Sequence, residues 1–449
     1  MSDHLKAEFA SFRSAHPDIE TLEVLLADMN GIFRGKQMPI AALEKIADGQ
    51  LCFPITTPFL TTNGANAEYT LDEFGSDPDR PCVAVPGTLK PVPWAAKPTA
   101  QLQIDMLDSD GKPLFASPRT VLTSVLDRVA AIGFTPVTAI EYEFFLFKVG
   151  TQPPEPLRPP NGLPHAADAN CYNLEVFADY QPLMQEIEAA AHVQGLPVEG
   201  LVCEYGNGQF EVNLKHGPDA LKACDEALLL KRAIRGVAHK HGLLASFMAK
   251  PLNDEVGSGL HAHVSLLNDA GDNVFGLEDG EALLQSAVAG MLSTMPAATA
   301  IFAPNANSYR RFDAEWFAPV VKNWGENNRR LALRLPLSDR KNRRFEHRVS
   351  GADASPHLVM ACILAGVHHG ISNSLKPPAP LGEFDLVDFE DVLPPRWRMA
   401  LNALADDTLL TPYLGDKFCK LYHQVRSSEE DEAHRSYVAA DHQQYLRIL

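Results

Sequence analysis

The sequence contains few cysteines, and they are scattered. Seven occur in 449 residues, and no two of them form a CxxC pair. Disulfide frameworks and zinc clusters usually require closely spaced thiols, so we predict neither. Residues 1–18 include Asp3 and Glu8 and contain no apolar run, so they do not resemble a secretion signal. Both features favour a protein of the reducing cytoplasm.

Positive charge and long apolar runs are also scarce. The chain has 39 Lys and Arg residues against 57 Asp and Glu residues, which gives a formal net charge of −18. Such a chain is not expected to bind nucleic acid or an anionic membrane. No apolar run approaches the roughly 18 residues that crossing a bilayer requires. The charge would instead attract cations, including metal ions and polyamines.

The length and the local patterns predict a small β domain followed by a large α/β domain. Residues 20–100 read as short strands and turns, with a hairpin bend at Asn30-Gly31. From Ser117 a capped amphipathic helix leads into the apolar strand TAIEYEFFLF. The Pro-rich segment 151–170 is predicted to be an exposed loop, and the run PRWRMALNALADD a helix. We place the domain boundary between residues 108 and 109.

Four segments place polar side chains at alternate positions of predicted strands. These side chains are Glu141 and Glu143, Glu204 and Glu211 on either side of a Gly-containing turn, His261, His263 and Ser265, and Glu346 with Arg348. Residues at i and i+2 share one face of a strand. Carboxylates in apolar strands are costly unless compensated, and an oxygen-rich set favours Mg²⁺ or Mn²⁺ over zinc. One such pair alone is more often a solvated strand face or a salt bridge, but four together favour a site for two divalent cations.

A cationic cluster follows in the segment NNRRLALRLPLSDRKNRRFEHR, which carries seven arginines and Lys341. The arginine fork matches phosphate oxygens, and beside a two-metal site it indicates phosphoryl transfer. The alternative is a basic surface segment or a subunit contact. Arg334 lies in the apolar run LALRLP, which argues against a solvent-exposed position without a function.

These segments resemble the glutamine synthetase family, specifically its bacterial branch. AIEYEFFLF, CEYGNGQFEVNL, SFMAKPLNDEVGSGLHAHVSL, NSYRRF and RKNRRFEHRVSGADASPHLVMACILAG are similar to family motifs and occur in the family's order. The resemblance implies an α+β fold: an N-terminal β-grasp domain, then a catalytic domain whose curved antiparallel sheet forms a half-barrel flanked by helices. It also implies ATP, two or three Mg²⁺ or Mn²⁺ ions per active site, and a homo-oligomer, a dodecamer of two stacked hexameric rings with active sites between subunits.

The resemblance implies a role for each matched residue. Glu143, Glu204 and Glu211 would hold the metal nearer glutamate, and Glu141, His261 and Glu346 the metal that bridges the ATP phosphates. Arg311 would bind the α-carboxylate of glutamate, the backbone of Gly257 its α-ammonium group, and Arg348 its γ-carboxylate, with His261 also facing the substrate. Arg334 and Arg344 would clamp the phosphates, with Arg329 near the transferring group. Glu199, His263 and Ser265 match positions of the nucleotide pocket.

The chain departs from the ammonia-using members of the family at three places. Phe317 occupies the position of the flap glutamate that shields the intermediate, and residues 52–57 lack the aspartate that attracts ammonium. Val256 replaces the asparagine that usually precedes the Gly-Ser-Gly run. An aromatic ring could pack against the carbon chain of an alkylamine or face its cation. The alternative is that Phe317 only packs and Glu315 performs the work of the flap.

We therefore expect an ATP-dependent ligase that forms a γ-glutamylamide from glutamate and an organic amine through γ-glutamyl phosphate. Putrescine or another polyamine is the favoured acceptor, followed by monoamines such as methylamine and ethanolamine. Trp316, Phe317, Tyr172 and residues 53–66 of an adjoining subunit are the candidates for binding the amine. The alternatives are a true glutamine synthetase and a family member that has lost catalysis.

Overall fold

The computed structural model describes residues 2–67, 74–159, 171–387 and 389–435, and its strands form two sheets. The first sheet has six strands in the order β2-β1-β6-β4-β3, with β5 on β6; β1 and β6 run parallel and the other neighbours antiparallel. Its strands are β1 Thr21–Ala27, β2 Phe33–Pro39, β3 Cys52–Pro54, β4 Asp79–Ala84, β5 Lys90–Pro91 and β6 Thr99–Met106. The predicted hairpin is confirmed, because β1 and β2 pair and Gly31 takes a φ of +67° in the connection.

The second sheet has eight strands and is curled into a half-barrel. Its order is β12-β13-β14-β11-β7-β9-β8, with β10 on β7, and only β12 and β13 run parallel. The strands are β7 Thr135–Lys148, β8 Val198–Cys203, β9 Gln209–Leu214, β10 Leu243–Ser246, β11 Leu260–Leu267, β12 Trp324–Glu326, β13 Leu333–Leu335 and β14 Phe345–His347.

Helices flank the two sheets. They span Ser2–Ala15, Ala42–Ala47, Pro118–Ala131, Leu174–Asp179, Gln181–Val193, Ala220–Lys240, Gly280–Phe302, Pro356–Ser372, Trp397–Ala405, Thr411–Leu414 and Asp416–Arg435. The helices Gly280–Phe302 and Pro356–Ser372 are largely buried and pack against each other closely. A Cβ atom on Gly290 would lie 2.0 Å from the carbonyl oxygen of Gly366, so only glycine fits at this crossing.

The other predicted elements are found with one correction. The helix Pro118–Ala131 begins after Ser117 as predicted, but the Ser117 hydroxyl does not cap it. It donates instead to Oδ1 of Asp105 at 2.7 Å, since that partly buried carboxylate requires donors. The helix Trp397–Ala405 confirms the prediction for its segment. Only residues 151–159 of the predicted Pro-rich loop belong to the described residues, and the rest lies outside them.

A buried polar cluster joins the first sheet to three helices. Both carboxylate oxygens of Asp225 accept hydrogen bonds: Oδ1 from Gln103 of β6 at 2.7 Å and from His357 at 2.9 Å, and Oδ2 from Arg119. Burial alone would raise the pKa of Asp225, but His357 and Arg119 outweigh it and the pKa is lowered. This cluster fixes the first sheet against the helices that support the second. The division into residues 1–108 and 109–449 stays a prediction.

All seven cysteines lie within the described ranges, and each is a free thiol. None of the helices in the described part of the chain combines the length and the apolar character that crossing a bilayer requires.

Candidate active site

The register of the second sheet brings the four predicted segments together. Strand β7 lies between β9 and β11, and Glu143 stands opposite Glu211 while Glu141 stands opposite His261. On the next strand pair, His263 stands opposite Glu346. Because side chains alternate between the faces of a strand, these positions project to one side of the sheet.

Two adjoining cavities contain every site residue that the sequence analysis predicted individually, and only the range 53–66 lies outside them. The first, of about 570 Å³, is lined by Glu141, Glu143, Tyr172, Glu204, Glu211, Gly257, His261, His263, Arg311, Trp316, Phe317, Arg329, Arg334, Arg344, Glu346 and Arg348, among others. The second, of about 600 Å³, contains Glu199 and Ser265. Both are lined by Glu141, Asn213, His263 and Arg344, so the two cavities form one continuous site. Residues 53–66 line neither cavity within a single chain.

The acids and imidazoles approach one another closely enough to share cations. Within the described residues, potential ligand atoms lie within 4.8 Å of one another in two groups, Glu141–His263–Glu346 and Glu141–Glu211–His261. This grouping differs from the predicted division into two triads, because Glu141 belongs to both groups and His263 joins one of them. Glu143 and Glu204 line the same cavity outside both groups.

The carboxyl groups of this cavity differ strongly in acidity. Burial, followed by the charges of Glu141 and Glu143, raises the pKa of Glu211 to about 9. Burial and Glu143 raise the pKa of Glu204 to about 7. Burial also disfavours the charge of Glu346, but the positive charge of Arg348 outweighs it and the pKa of Glu346 is lowered. Crowded carboxylates of this kind are relieved by divalent cations, and oxygen donors with imidazole suit Mg²⁺ or Mn²⁺. The donor set therefore fits such ions.

Four arginines hold fixed positions around the acids. Arg334 donates from Nη1 to Glu346 Oε2 at 2.7 Å, and Arg348 pairs with the other oxygen of the same carboxylate. Arg344 donates from Nε to Nδ1 of His263 at 3.2 Å. Arg311 is buried and donates from Nη1 to the carbonyl oxygen of Val349 at 2.9 Å. Each guanidinium keeps further donors that an anionic ligand could use.

Aromatic side chains form the mouth of the first cavity. Phe317 has a φ of +58°, a left-handed conformation that is strained for a residue with a side chain and is typical of functional sites. Its ring lies 6.3 Å from that of Tyr205 and 5.7 Å from the guanidinium of Arg330. Tyr172, also at φ +58°, and Glu315 line the same cavity. Glu315, the alternative candidate for the work of the flap, therefore lies in the same cavity as Phe317.

The sequence reasoning missed Asn213, Tyr205 and Arg330. Asn213 is two positions after Glu211 on β9 and stands opposite Glu141, so the alternation that identified Glu211 could have identified it too. Tyr205 follows Glu204 directly, in a turn where alternation does not apply. Arg330 was noticed only as one member of the cationic segment.

Comparison with known proteins places this geometry in a family. Residues 115–445 match the family model described as "Glutamine synthetase, catalytic domain". The chain is 38% identical to gamma-glutamylputrescine synthetase of Escherichia coli over 94% of its own length and 90% of that protein's. It is 32% identical to glutamate–isopropylamine ligase of a Pseudomonas species, over 81% of its length and 80% of that protein's. A solved structure titled "Apo GmaS without ligand" superposes with a TM-score of 0.83 at 27% identity, covering 97% of this chain and 99% of that one. The chain belongs to the glutamine synthetase family.

Proposed function

We propose that this protein is an ATP-dependent ligase that joins the γ-carboxylate of glutamate to an organic amine, with putrescine or another polyamine as the favoured acceptor. One observation carries the proposal: acids, imidazoles and arginines suited to metal-assisted phosphoryl transfer surround one cavity, and Phe317 stands at its mouth. The relatives named as ligases of putrescine and isopropylamine support the same chemistry.

The reaction requires two displacements, because a carboxylate oxygen is a very poor leaving group. In the first, a γ-carboxylate oxygen of glutamate attacks the terminal phosphorus of ATP and ADP leaves, which gives γ-glutamyl phosphate. In the second, the neutral nitrogen of the amine attacks the acyl carbon, phosphate leaves, and the nitrogen loses a proton. Divalent cations, when bound, would neutralise negative charge on the transferring phosphoryl group.

The side chains of the cavity are proposed to orient both substrates. Arg311 would bind the α-carboxylate and Arg348 the γ-carboxylate, which holds the attacking oxygen in place. Arg334 and Arg344 would take phosphate oxygens through their forks, with Arg329 near the transferring group. For cations we propose two or three Mg²⁺ or Mn²⁺ ions. Their ligands would come from Glu141, Glu143, Glu204, Glu211, His261 and Glu346, with His263 as a further ligand or a nucleotide contact beside Glu199 and Ser265.

The aromatic mouth supports an acceptor larger than ammonia. Trp316, Phe317 and Tyr172 offer apolar surface and ring faces to an alkyl ammonium ion. A monoamine acceptor is the second candidate, supported by the similarity to glutamate–isopropylamine ligase. A true glutamine synthetase is supported by Glu315 in the cavity and by a relative of that name in Halobacterium salinarum that is 30% identical. A non-catalytic role is disfavoured because all six proposed metal ligands are retained.

Two further features belong to the proposal. The separate strand sets of residues 21–106 and 135–347 support two domains, an N-terminal β-grasp domain of residues 1–108 and a catalytic domain of residues 109–449. Family membership supports a dodecamer of two hexameric rings, in which residues 53–66 would face the active site of a neighbouring subunit.

Phosphate release measured with ATP, glutamate and Mg²⁺ tests the function. The acceptors to compare are putrescine, spermidine, methylamine, ethanolamine, isopropylamine and ammonium, with glutamate omitted as the control. We expect kcat/KM for a polyamine to exceed that for ammonium by at least about tenfold. A clear preference for ammonium would make the protein a glutamine synthetase, and absence of turnover with every amine would contradict the ligase proposal.

A further inference from the structure

The strand that carries the acids has a second face with a different chemistry. Tyr142 lies between Glu141 and Glu143 and therefore projects to the opposite side of β7. Its ring lies 5.6 Å from that of Phe247, and the Nζ atom of Lys231 lies 5.2 Å from the Tyr142 ring and 5.0 Å from the Phe247 ring. A cavity of about 420 Å³ lies on this side. Of the described residues that line it, none also lines the first cavity of the active site.

The lining of this rear cavity carries more basic than acidic side chains. Its charged lining residues in the described chain are Lys231, Arg235, Arg426 and Asp353, which are three cations and one acid. It shares Lys231 and Arg235 with an adjoining lobe of about 450 Å³, whose described lining adds further basic groups and contains no carboxylate. In a chain with a net charge of −18, such a concentration of positive charge is unusual.

The donors of these cations are incompletely used. The buried Lys231 ammonium donates one hydrogen bond, to the carbonyl oxygen of Ala352 at 2.8 Å. Arg426 is 1% exposed and donates from Nη1 to Glu429 at 2.7 Å, while its Nε and Nη2 atoms have no acceptor. Arg235, unlike Lys231 and Arg426, is exposed; its guanidinium lies 5.1 Å from the Phe247 ring and forms no ion pair or hydrogen bond with the described residues. Buried donors without acceptors are costly, and they mark places where a ligand can supply the missing partner.

Asp353, the single acid of the described lining, forms no ion pair with these cations, and Glu429 outside the lining pairs with Arg426 only. Oδ2 of Asp353 accepts hydrogen bonds from Asn305 and Ser308, each at 2.7 Å, so its nearest partners are neutral groups. Burial raises the pKa of Asp353. Burial also lowers the pKa of Lys231 to about 7, as expected for an ammonium group that lacks a counterion.

We propose that the rear cavity is a binding site for a small multivalent anion, whose phosphate or carboxylate oxygens would be held by Lys231, Arg235 and Arg426. The volume lies within the range of roughly 300–1,000 Å³ found for small-molecule sites. Arginine forks and an ammonium group match such oxygens directly. The inference does not depend on the proposed ligase activity, because the cavity is lined by different residues.

Two chain segments connect the rear cavity to the active site. Asn307 lines the cavity, and its side chain exchanges two hydrogen bonds with the backbone of Lys250, at 2.9 and 2.8 Å. Ser308, which contacts Asp353, accepts at its carbonyl oxygen a hydrogen bond from the backbone of Arg311 at 3.1 Å. An anion in the cavity would therefore bind beside the segments that lead to Arg311 and Gly257.

Isothermal titration of the full-length protein with inorganic phosphate and, separately, with succinate tests the proposal without ATP. Arg235 is exposed, so Arg235→Gln should fold, and Arg396→Gln removes an exposed arginine outside the cavity as a matched control. We expect at least one probe to bind the wild type and the control equally and to bind Arg235→Gln at least about tenfold more weakly, the effect of one lost charge-assisted hydrogen bond. Anion binding at the active-site arginines would be unchanged by Arg235→Gln, so the comparison isolates the rear cavity.

A second variant tests the site by repulsion. Leu244 is 55% exposed and lines both the rear cavity and its adjoining lobe. Leu244→Glu therefore places a carboxylate at the entrance and should weaken the binding of the same probe. Which of the two probes binds more tightly identifies phosphate or carboxylate as the preferred chemistry. The proposal is overturned if neither probe binds the wild type, or if Arg235→Gln and Leu244→Glu bind both probes as the wild type does.

Discussion

Replacing Glu211 by Gln should stabilise the cation-free protein. The carboxyl of Glu211 has a pKa of about 9 in the folded chain, against an ordinary value of 4.5. At pH 7 the folded state therefore holds a proton that the unfolded state has released. A carboxyl whose pKa rises on folding makes the folded state less stable as the pH rises above 4.5, until the folded group also ionises near pH 9. From pH 4.5 to pH 7 is about 2.5 units at ~1.36 kcal/mol each, which sets an upper limit of about 3 kcal/mol on the stability that this carboxyl costs at pH 7.

Gln has almost the same shape as Glu and no charge, so Glu211→Gln avoids this cost. In EDTA we expect its free energy of unfolding to exceed that of the wild type at pH 7 by up to about 3 kcal/mol. The difference should grow towards pH 9 and disappear at pH 4.5. With Mg²⁺ the order should reverse in part, since the wild type gains stability by binding the cation and the variant has lost one ligand.

Urea denaturation at pH 5, 7 and 9, with EDTA and with Mg²⁺ at one protein concentration, measures both effects. Glu188→Gln, on an exposed helix face, is the matched control. It should change neither the unfolding free energy in EDTA nor the stability gained from Mg²⁺ by more than about 0.5 kcal/mol. The reasoning fails if Glu211→Gln is less stable than the wild type in EDTA at pH 7. It also fails if the variant gains as much stability from Mg²⁺ as the wild type does.

Three further substitutions test the fold and the acceptor. Asp225→Ala leaves the buried His357 without its carboxylate and should cost about 3 kcal/mol of unfolding free energy. Urea denaturation would show this loss, and the exposed Asp110→Ala is the control that should leave the unfolding free energy unchanged. Because the pKa of Asp225 is lowered in the folded state, the loss should shrink as the pH falls below 3.8, the ordinary pKa of an aspartate. In the phosphate-release assay, Phe317→Glu should raise kcat/KM for ammonium at least about tenfold and lower kcat/KM for putrescine. Equal changes for both acceptors would contradict a role of Phe317 in selecting the acceptor. Glu315→Gln should keep kcat/KM for putrescine within about threefold of the wild type, whereas a loss of about a hundredfold would assign the flap function to Glu315.

Much of the site could be predicted because alternation along a strand is a local property. The spacing of Glu141 and Glu143, or of His261 and His263, indicates a shared face whatever the strand pairs with. The pairing of the strands could not be predicted, because β7 pairs with β9 and β11 across long stretches of chain. The register also depends on how both faces of the sheet pack. For that reason His263 was predicted only as a nucleotide contact, although the register sets it opposite Glu346.

Features set by tertiary contacts were predicted less well. The Ser117 hydroxyl was predicted as a helix cap, but the partly buried Asp105 competes for it and accepts its hydrogen bond. The left-handed backbone of Phe317 has no local signal, since the conformation follows from the turn that carries the residue. The rear cavity was not predicted either, because Lys231, Arg235 and Arg426 come from two helices that only the fold brings together.

The two faces of β7 explain how one strand can carry so much charge. On a strand that was free to shift its register, Glu141 and Glu143 would not stay opposite His261 and Glu211. The residues that alternate with them, Tyr142 and Phe144, are fully buried and both pack against Phe247. A one-residue slip would exchange the aromatic rings with the carboxylates, and the apolar area buried by two aromatic side chains opposes that exchange by several kcal/mol. The aromatic face therefore holds the acids at the positions that the proposed cation site requires, and Lys231, which lies against the same rings, extends this support to the rear cavity.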